Sequence, residues 1–241
     1  MRRPAAVGTL LVVLAVLVTQ LLDFGGELEY RRALFLREPW RLFTAHFVHL
    51  SLIHAMLNAV ALLLLARLFE NRLRRPELCL LLLVAPILIS VVFWIAMPGL
   101  AWYRGLSGVL HAIYFAGCTV WVGTSSGRSR WLPVTALVGG SLKVLLEQPW
   151  DDSFPFREWL GAAVVPQAHL IGAVVGTLAG LCLQRIRGTA RRHMATIHHQ
   201  VTQTGSRARR LTPWVTHHDG RCPRDRATGT GTSRLPGRVR T

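Results

Sequence analysis

Gly105-Leu106-Ser107-Gly108-Val109-Leu110-His111 places a serine between glycines at the start of an apolar run that continues to Gly123. A hydroxyl at a helix N-terminus meets unpaired N–H groups and the positive end of the helix dipole. The neighbouring glycines let a second backbone or a substrate come close. A serine nucleophile, and the oxyanion its attack creates, need that setting. The same string also fits a small-residue contact helix whose serine only caps or packs.

Other residue types complete the chemistry. His46, His49, His54 and Asn58 lie upstream, and His54 and Asn58, four apart, share one helix face. His169 precedes Gly172, Gly176 and Gly180, a stripe at four-residue spacing suited to close helix contact. A serine hydroxyl needs a base, and an imidazole fixed by neighbouring helices can serve without a carboxylate. His54, Asn58 and the Ser107 N–H are suitable donors to an oxyanion. The alternative for His54 and Asn58 is interhelical hydrogen bonding alone. Zinc is disfavoured, because the upstream histidines come without an HExxH motif or a nearby carboxylate, so no metal and no cofactor is expected.

These residues must be brought together by apolar elements. The chain has 241 residues, 51% of them apolar, too many for an ordinary water-soluble domain. Six runs approach bilayer-spanning length: Ala5–Leu22, Leu52–Phe69, Leu78–Met97, Leu106–Gly123, Trp131–Leu146 and Ala162–Leu183. The expected fold is an all-α polytopic membrane bundle of six helices over residues 1–188. The first run, after Met1-Arg2-Arg3, is expected to stay as an anchor. Arginine is concentrated before the first run, between the second and third, between the fourth and fifth, and after the sixth, which favours both termini inside. The second, fourth and sixth runs then all cross from outside to inside. His54, Asn58, Ser107 and His169 fall in their outer halves, at one depth.

The rest of the chain is less specific. Trp40-Arg41-Leu42-Phe43-Thr44 fits an interfacial segment or a loop with aromatic anchors. Lys143 and Glu147, four apart, read as an ion pair near a span end. The four cysteines have no CxxC spacing and read as apolar filler. Residues 189–241 hold eleven arginines against Asp219 and Asp225, with no core-forming period, and are expected to form a disordered basic tail on the cytoplasmic side. The net charge of +16 thus reflects topology and tail, with no nucleic-acid partner expected.

Trp40-Arg41, the His49/His54/Asn58 segment, Gly105-Leu106-Ser107-Gly108, and Ala168-His169 with Gly172 and Gly176 together resemble the rhomboid intramembrane serine proteases. The resemblance implies six spanning helices, a Ser107 nucleophile, a His169 base and oxyanion support from His54 and Asn58. Gly105, Gly108, His49 and His111 take supporting places. Many rhomboids carry tyrosine where this chain has His111. With Lys143, Glu147-Gln148 and Ala168-His169-Leu170, that departure looks more like the rhombosortase branch. The branch implies a multi-pass protein of the bacterial cytoplasmic membrane with its site towards the outer face. Its substrates would be membrane-anchored envelope proteins with a C-terminal Gly-Gly motif and transmembrane segment.

Two other classes compete. A silent rhomboid-like protein that binds and escorts membrane helices need not keep a nucleophile and a base together. A transporter would show an ionisable path across the bundle, whereas the polar residues here gather at one end.

Overall fold

The computed structural model describes residues 4–148 and 165–210. The chain divides into two units, Met1–Arg192 and His193–Thr241. In order, the elements are α1 (Pro4–Leu21), α2 (Gly25–Leu28), β1 (Tyr30–Arg31), α3 (Arg41–Thr44), α4 (Leu52–Leu68), α5 (Arg75–Ala96), β2 (Trp102–Tyr103), α6 (Ser107–Thr124), α7 (Trp131–Leu146) and α8 (Pro166–Arg210). Short 3-10 turns lie at Arg32–Leu34, Ala45–Phe47 and Gly127–Arg130.

Six of these helices are long, and each falls on one of the six apolar runs. α5 (22 residues) and the Pro166–Ile197 part of α8 are long and apolar enough to cross a membrane. The Arg41–Phe47 and Leu52–Leu68 helices, bent by 94° where they meet, add a third candidate if counted as one span. α4 shows the inverted pattern that lipid selects. Its buried residues are His54, Ala55, Asn58, Ala59 and Leu62. Leu52, Ile53, Met56, Leu57, Val60 and Leu64 are exposed. A water-soluble helix does the opposite, hiding its apolar stripe and presenting its polar one.

The core is built around α6. Val109, Ala112, Ile113, Ala116 and Val120 of α6 are fully buried against α5 residues such as Ile89 and Phe93. The α8 side of this core is set by small residues. A Cβ added at Gly172 would collide with the Gly108 carbonyl, and one at Gly176 with the Ala112 carbonyl. At Gly180 the added atom would stand 2.7 Å from Thr119 Cβ. Only glycine lets these two helices lie backbone to backbone. Away from the site, Arg187 of α8 pairs with Glu77 of α5 and donates to the Arg72 carbonyl at 3.0 Å. Gln184 Nε2 donates to the Thr119 carbonyl at 2.6 Å.

The connection between α1 and α4 is folded, not merely draped. Arg41, 8% exposed, donates to the carbonyls of Gly26 (2.8 Å) and Glu29 (3.0 Å), and Thr44 Oγ1 donates to the Leu28 carbonyl at 2.8 Å. Glu29 in turn holds Arg31 and Arg104, each at 2.7 Å. Trp40-Arg41 therefore divides its roles, with Trp40 exposed and Arg41 buried as a clamp on the loop.

Two differences from the sequence expectation stand out. Among the described residues, the expected all-α bundle carries one antiparallel pairing, Tyr30 with Tyr103 and Arg31 with Trp102. It is two residues long, too short for the alternating pattern that announces a strand. The basic tail expected to be disordered from Thr189 is helical as far as Arg210. The lack of a core-forming period misled the expectation there. A segment that extends an existing helix avoids the cost of nucleation, and Ala190, Met194 and Ala195 are good helix formers. Residues 211–241 and the acidic, aromatic connection over 149–164 lie outside the described residues.

Candidate active site

Ser107 is the first residue of α6, so its hydroxyl sits at the helix N-terminus. Several contacts fix that start. Gly105, with φ of +136°, makes a turn that side chains rarely tolerate. Its N–H donates to the Ala45 carbonyl at 3.0 Å. Tyr103 donates its hydroxyl proton to the Gly105 carbonyl at 2.7 Å. His49, 2% exposed, accepts the Leu106 N–H on Nε2 at 3.4 Å. An imidazole that accepts on one nitrogen is the neutral form, and burial favours that form.

α8 brings His169 to the serine. A Cβ on Gly108 would stand 2.9 Å from the Ala168 carbonyl, so the backbones of the Ser107 and His169 segments touch. His169 Nε2 lies 3.0 Å from Ser107 Oγ. The other nitrogen, Nδ1, donates to Glu147 Oε2 at 3.0 Å. With the proton on Nδ1, Nε2 presents a lone pair to the serine hydroxyl. A hydroxyl in that position can lose its proton as it attacks a carbonyl.

α7 and α6 supply the surroundings of His169. Lys143 Nζ is 2.6 Å from Glu147 Oε1 and 3.2 Å from His111 Nε2. His111 Nδ1 lies 2.8 Å from the Ser107 carbonyl. A carbonyl can only accept, so His111 carries its proton on Nδ1 and offers Nε2 to the ammonium. The His111 ring stacks on His169, with centroids 4.2 Å apart and planes within 15°. Burial alone would raise Glu147, at the end of α7. The hydrogen bonds from His169 and Lys143 outweigh it and hold the carboxyl down to about 2. Gln148 follows with Nε2 donating to the carbonyls of Val144 (2.9 Å) and Pro166 (3.2 Å), tying the end of α7 to the start of α8.

α4 enters from the other side. Ser51 caps it, its hydroxyl accepting the His54 N–H at 3.2 Å. That cap orders the turn that carries His54. His54 and Ser107 line one cavity of about 280 Å³ with Leu50, residues 99–104 and Val165. Gly105 presses on the same imidazole, since a Cβ there would be 3.0 Å from His54 Cε1. Asn58 is buried one turn further along, with Nδ2 donating to the His54 carbonyl at 2.8 Å. It does not line the cavity.

The arrangement thus gathers Ser107, His169, His111 and His54, with Gly105, Gly108 and His49 shaping the turn, and sets Asn58 behind His54. Glu147, Lys143 and Gln148 are the participants that the sequence reading left out of the site. The signal was present: an ionisable pair four apart at the end of an apolar helix, which could equally be a snorkelling ion pair. The ligand atoms of His111, Glu147 and His169 lie within 4.8 Å of one another. The Lys143 ammonium bonded to two of these residues competes with any cation there, so a hydrogen-bonded chain describes the cluster better than a metal site.

Comparison with known proteins gives the family. Residues 36–186 match the family model described as Rhomboid domain. The protein called Rhomboid protease GlpG of Salmonella choleraesuis is 29% identical over 139 residues, 58% of this chain and 46% of that relative. Those of Salmonella paratyphi A and Salmonella newport are 28% identical over the same shares. The chain spans about half the length of the curated relatives it matches. The matched stretch covers more than half of the chain and contains every residue of the cluster around Ser107. By that match, the chain belongs to the rhomboid family.

Proposed function

We propose that this chain is an intramembrane serine endopeptidase that cleaves membrane-anchored proteins. The observation that carries the reading is the 3.0 Å approach of His169 Nε2 to Ser107 Oγ at the N-terminus of α6. Ser107 Oγ attacks the scissile carbonyl as its proton passes to His169 Nε2. The resulting oxyanion faces the Ser107 N–H and the His54 side chain, with Asn58 in support. His169 then returns the proton to the leaving amine, and water attacks the acyl-enzyme with the same imidazole as base. The cavity beside Ser107 and His54 gives an unwound peptide room to reach the hydroxyl.

The finer assignment rests on His111 and on the Glu147-Gln148 and Ala168-His169-Leu170 strings. They favour a rhombosortase-like enzyme whose substrates are envelope proteins with a Gly-Gly motif ahead of a C-terminal transmembrane anchor. Arginine placement supports the bacterial cytoplasmic membrane with both termini inside and the site towards the outer face.

The test is cleavage of a Gly-Gly-anchored membrane segment by purified protein, followed beside labelling with a fluorophosphonate probe. Ser107→Ala and His169→Ala are expected to lose turnover, and Ser107→Ala to lose labelling, while both still fold. His54→Ala is expected to lose about 10²–10³ in rate, the scale of one oxyanion donor, and Asn58→Ala less, because Asn58 stands behind His54 with Nδ2 on the His54 carbonyl. Equal cleavage by Ser107→Ala would overturn the protease reading and favour a helix-binding role.

A further inference from the structure

We propose that Glu147 is a positioning residue for His169, so that Ser107 and His169 work as part of a three-membered chain that ends in a carboxylate. The inference rests on the protease reading above and adds a residue to it. His169 is held on three sides. Ser107 Oγ meets Nε2 at 3.0 Å, Glu147 Oε2 meets Nδ1 at 3.0 Å, and the His111 ring covers one face. Both carboxylate oxygens are committed, Oε1 to Lys143 at 2.6 Å and Oε2 to His169. A plain i,i+4 ion pair accounts for the first oxygen only. The second bond crosses 22 residues to another helix, at a side chain 16% exposed.

The carboxylate matters because a neutral imidazole can carry its proton on either nitrogen. The wrong tautomer places an N–H against the serine hydroxyl and leaves nothing to accept its proton. A carboxylate on Nδ1 removes that choice. It also compensates the imidazolium that forms as Ser107 attacks, where little water is available to do so. Lys143 meets the cluster through Glu147 Oε1 and His111 Nε2, and His54 of α4 lines the cavity beside Ser107. Lys143 keeps Glu147 ionised and turned towards the imidazole. The Gln148 bond to the Pro166 carbonyl fixes the distance between the two helix ends. Lys143 thus anchors the carboxylate, and His111 anchors both the lysine and the imidazole.

The test uses the full chain purified in detergent, with kcat and KM for the membrane-segment substrate measured for wild type, Glu147→Gln and Glu147→Asp. Expected for Glu147→Gln is a large fall in kcat, up to about 10⁴, the drop seen when a triad imidazole loses its orienting carboxylate. KM should stay within about threefold, since binding does not need the carboxylate. Glu147→Asp should recover at least part of kcat, which a packing role would not produce. Independently of activity, the ¹⁵N-histidine spectrum of wild type should show His169 as the Nδ1–H tautomer, identified by the signal lost in His169→Ala.

A folded Glu147→Gln chain with wild-type kcat would overturn the inference while leaving the protease reading intact. If that variant does not fold, the tautomer decides, and a proton on Nε2 overturns the inference. A wild-type protein that neither cleaves nor takes the fluorophosphonate removes the protease reading, and the inference with it.

Discussion

α7 and α8, two of the helices that flank α6, are held in opposite ways. Against α8 the contact is backbone to backbone: Gly172 lies on the Gly108 carbonyl, Gly176 on the Ala112 carbonyl, and Gly108 itself on the Ala168 carbonyl. α7 buries only Pro133 and Val144 and leaves Trp131, Leu132, Val138, Leu142, Leu145 and Leu146 exposed. Its links to the rest are side chains: Tyr114 to the Ala136 carbonyl at 2.6 Å, Lys143 to His111, Glu147 to His169, and Gln148 to Pro166. Ser107 and His169, the proposed nucleophile and base, ride on the tight seam. Glu147, Lys143 and Gln148, proposed to orient His169, ride on the loosely packed helix. The separation of Ser107 from His169 is therefore fixed by main chain, whereas the orientation of the imidazole depends on how α7 is seated.

The largest effect is expected from breaking the seam. Gly172→Val places side-chain carbons where the Gly108 carbonyl lies, and no rotamer change relieves a clash with backbone. We expect destabilisation of at least about 3 kcal/mol, the upper range for overpacking, and loss of fluorophosphonate labelling. Thermal unfolding in detergent checks it. A variant that melts with wild type would mean the seam does not hold the two helices together.

On the α7 side the effects should be smaller and graded. His111→Tyr keeps an aromatic ring near His169 but gives up the bond to Lys143. Cleavage is expected to fall by about tenfold at most, the scale of one aromatic contact. A variant as inactive as His169→Ala would overturn a merely supporting role for His111. Tyr114→Phe removes the hydroxyl that meets the Ala136 carbonyl. A loss of about 1 kcal/mol is expected, measurable as a lowered Tm with labelling retained.

The smallest change is a gain. Gly139, on α7, has open space where a Cβ would stand. Gly139→Ala should be tolerated and should stabilise the helix by about 0.5–1 kcal/mol, in contrast to any side chain at Gly172. If Gly139→Ala destabilises the protein as much as Gly172→Val, the contrast between the two sides of α6 is not real.

Much of this was legible before any coordinates. Ser51 ahead of an apolar run is a helix start, and α4 begins at Leu52 with Ser51 as its cap. The six apolar runs became six helices because hydrophobic length, unlike strand pairing, is a local property of the chain. Helix spacing put His54 with Asn58 and assigned the glycine stripe of α8 to a close contact. Counting residues along their runs set Ser107 and His169 at one level, and the two side chains meet at 3.0 Å. The clamp made by Arg41, the Tyr30–Tyr103 pairing and the helical course of residues 189–210 did not follow. Each depends on partners far away in the chain or on a helix already formed upstream.

Glu147 marks the boundary between the two kinds of knowledge. Residue order is enough to say that a lysine and a carboxylate share a face near the end of one helix. It is also enough to say that a serine and a histidine stand at one depth on two others. Counting along a helix gives depth and face within that helix, but not its rotation relative to its neighbours. Packing of the folded chain turned the α7 face towards α8. In doing so it brought Glu147 Oε2 to His169 Nδ1 and laid His111 over the same ring. The helix axes carry no information about that rotation; it is set by the shapes of the side chains and glycines where α6, α7 and α8 meet.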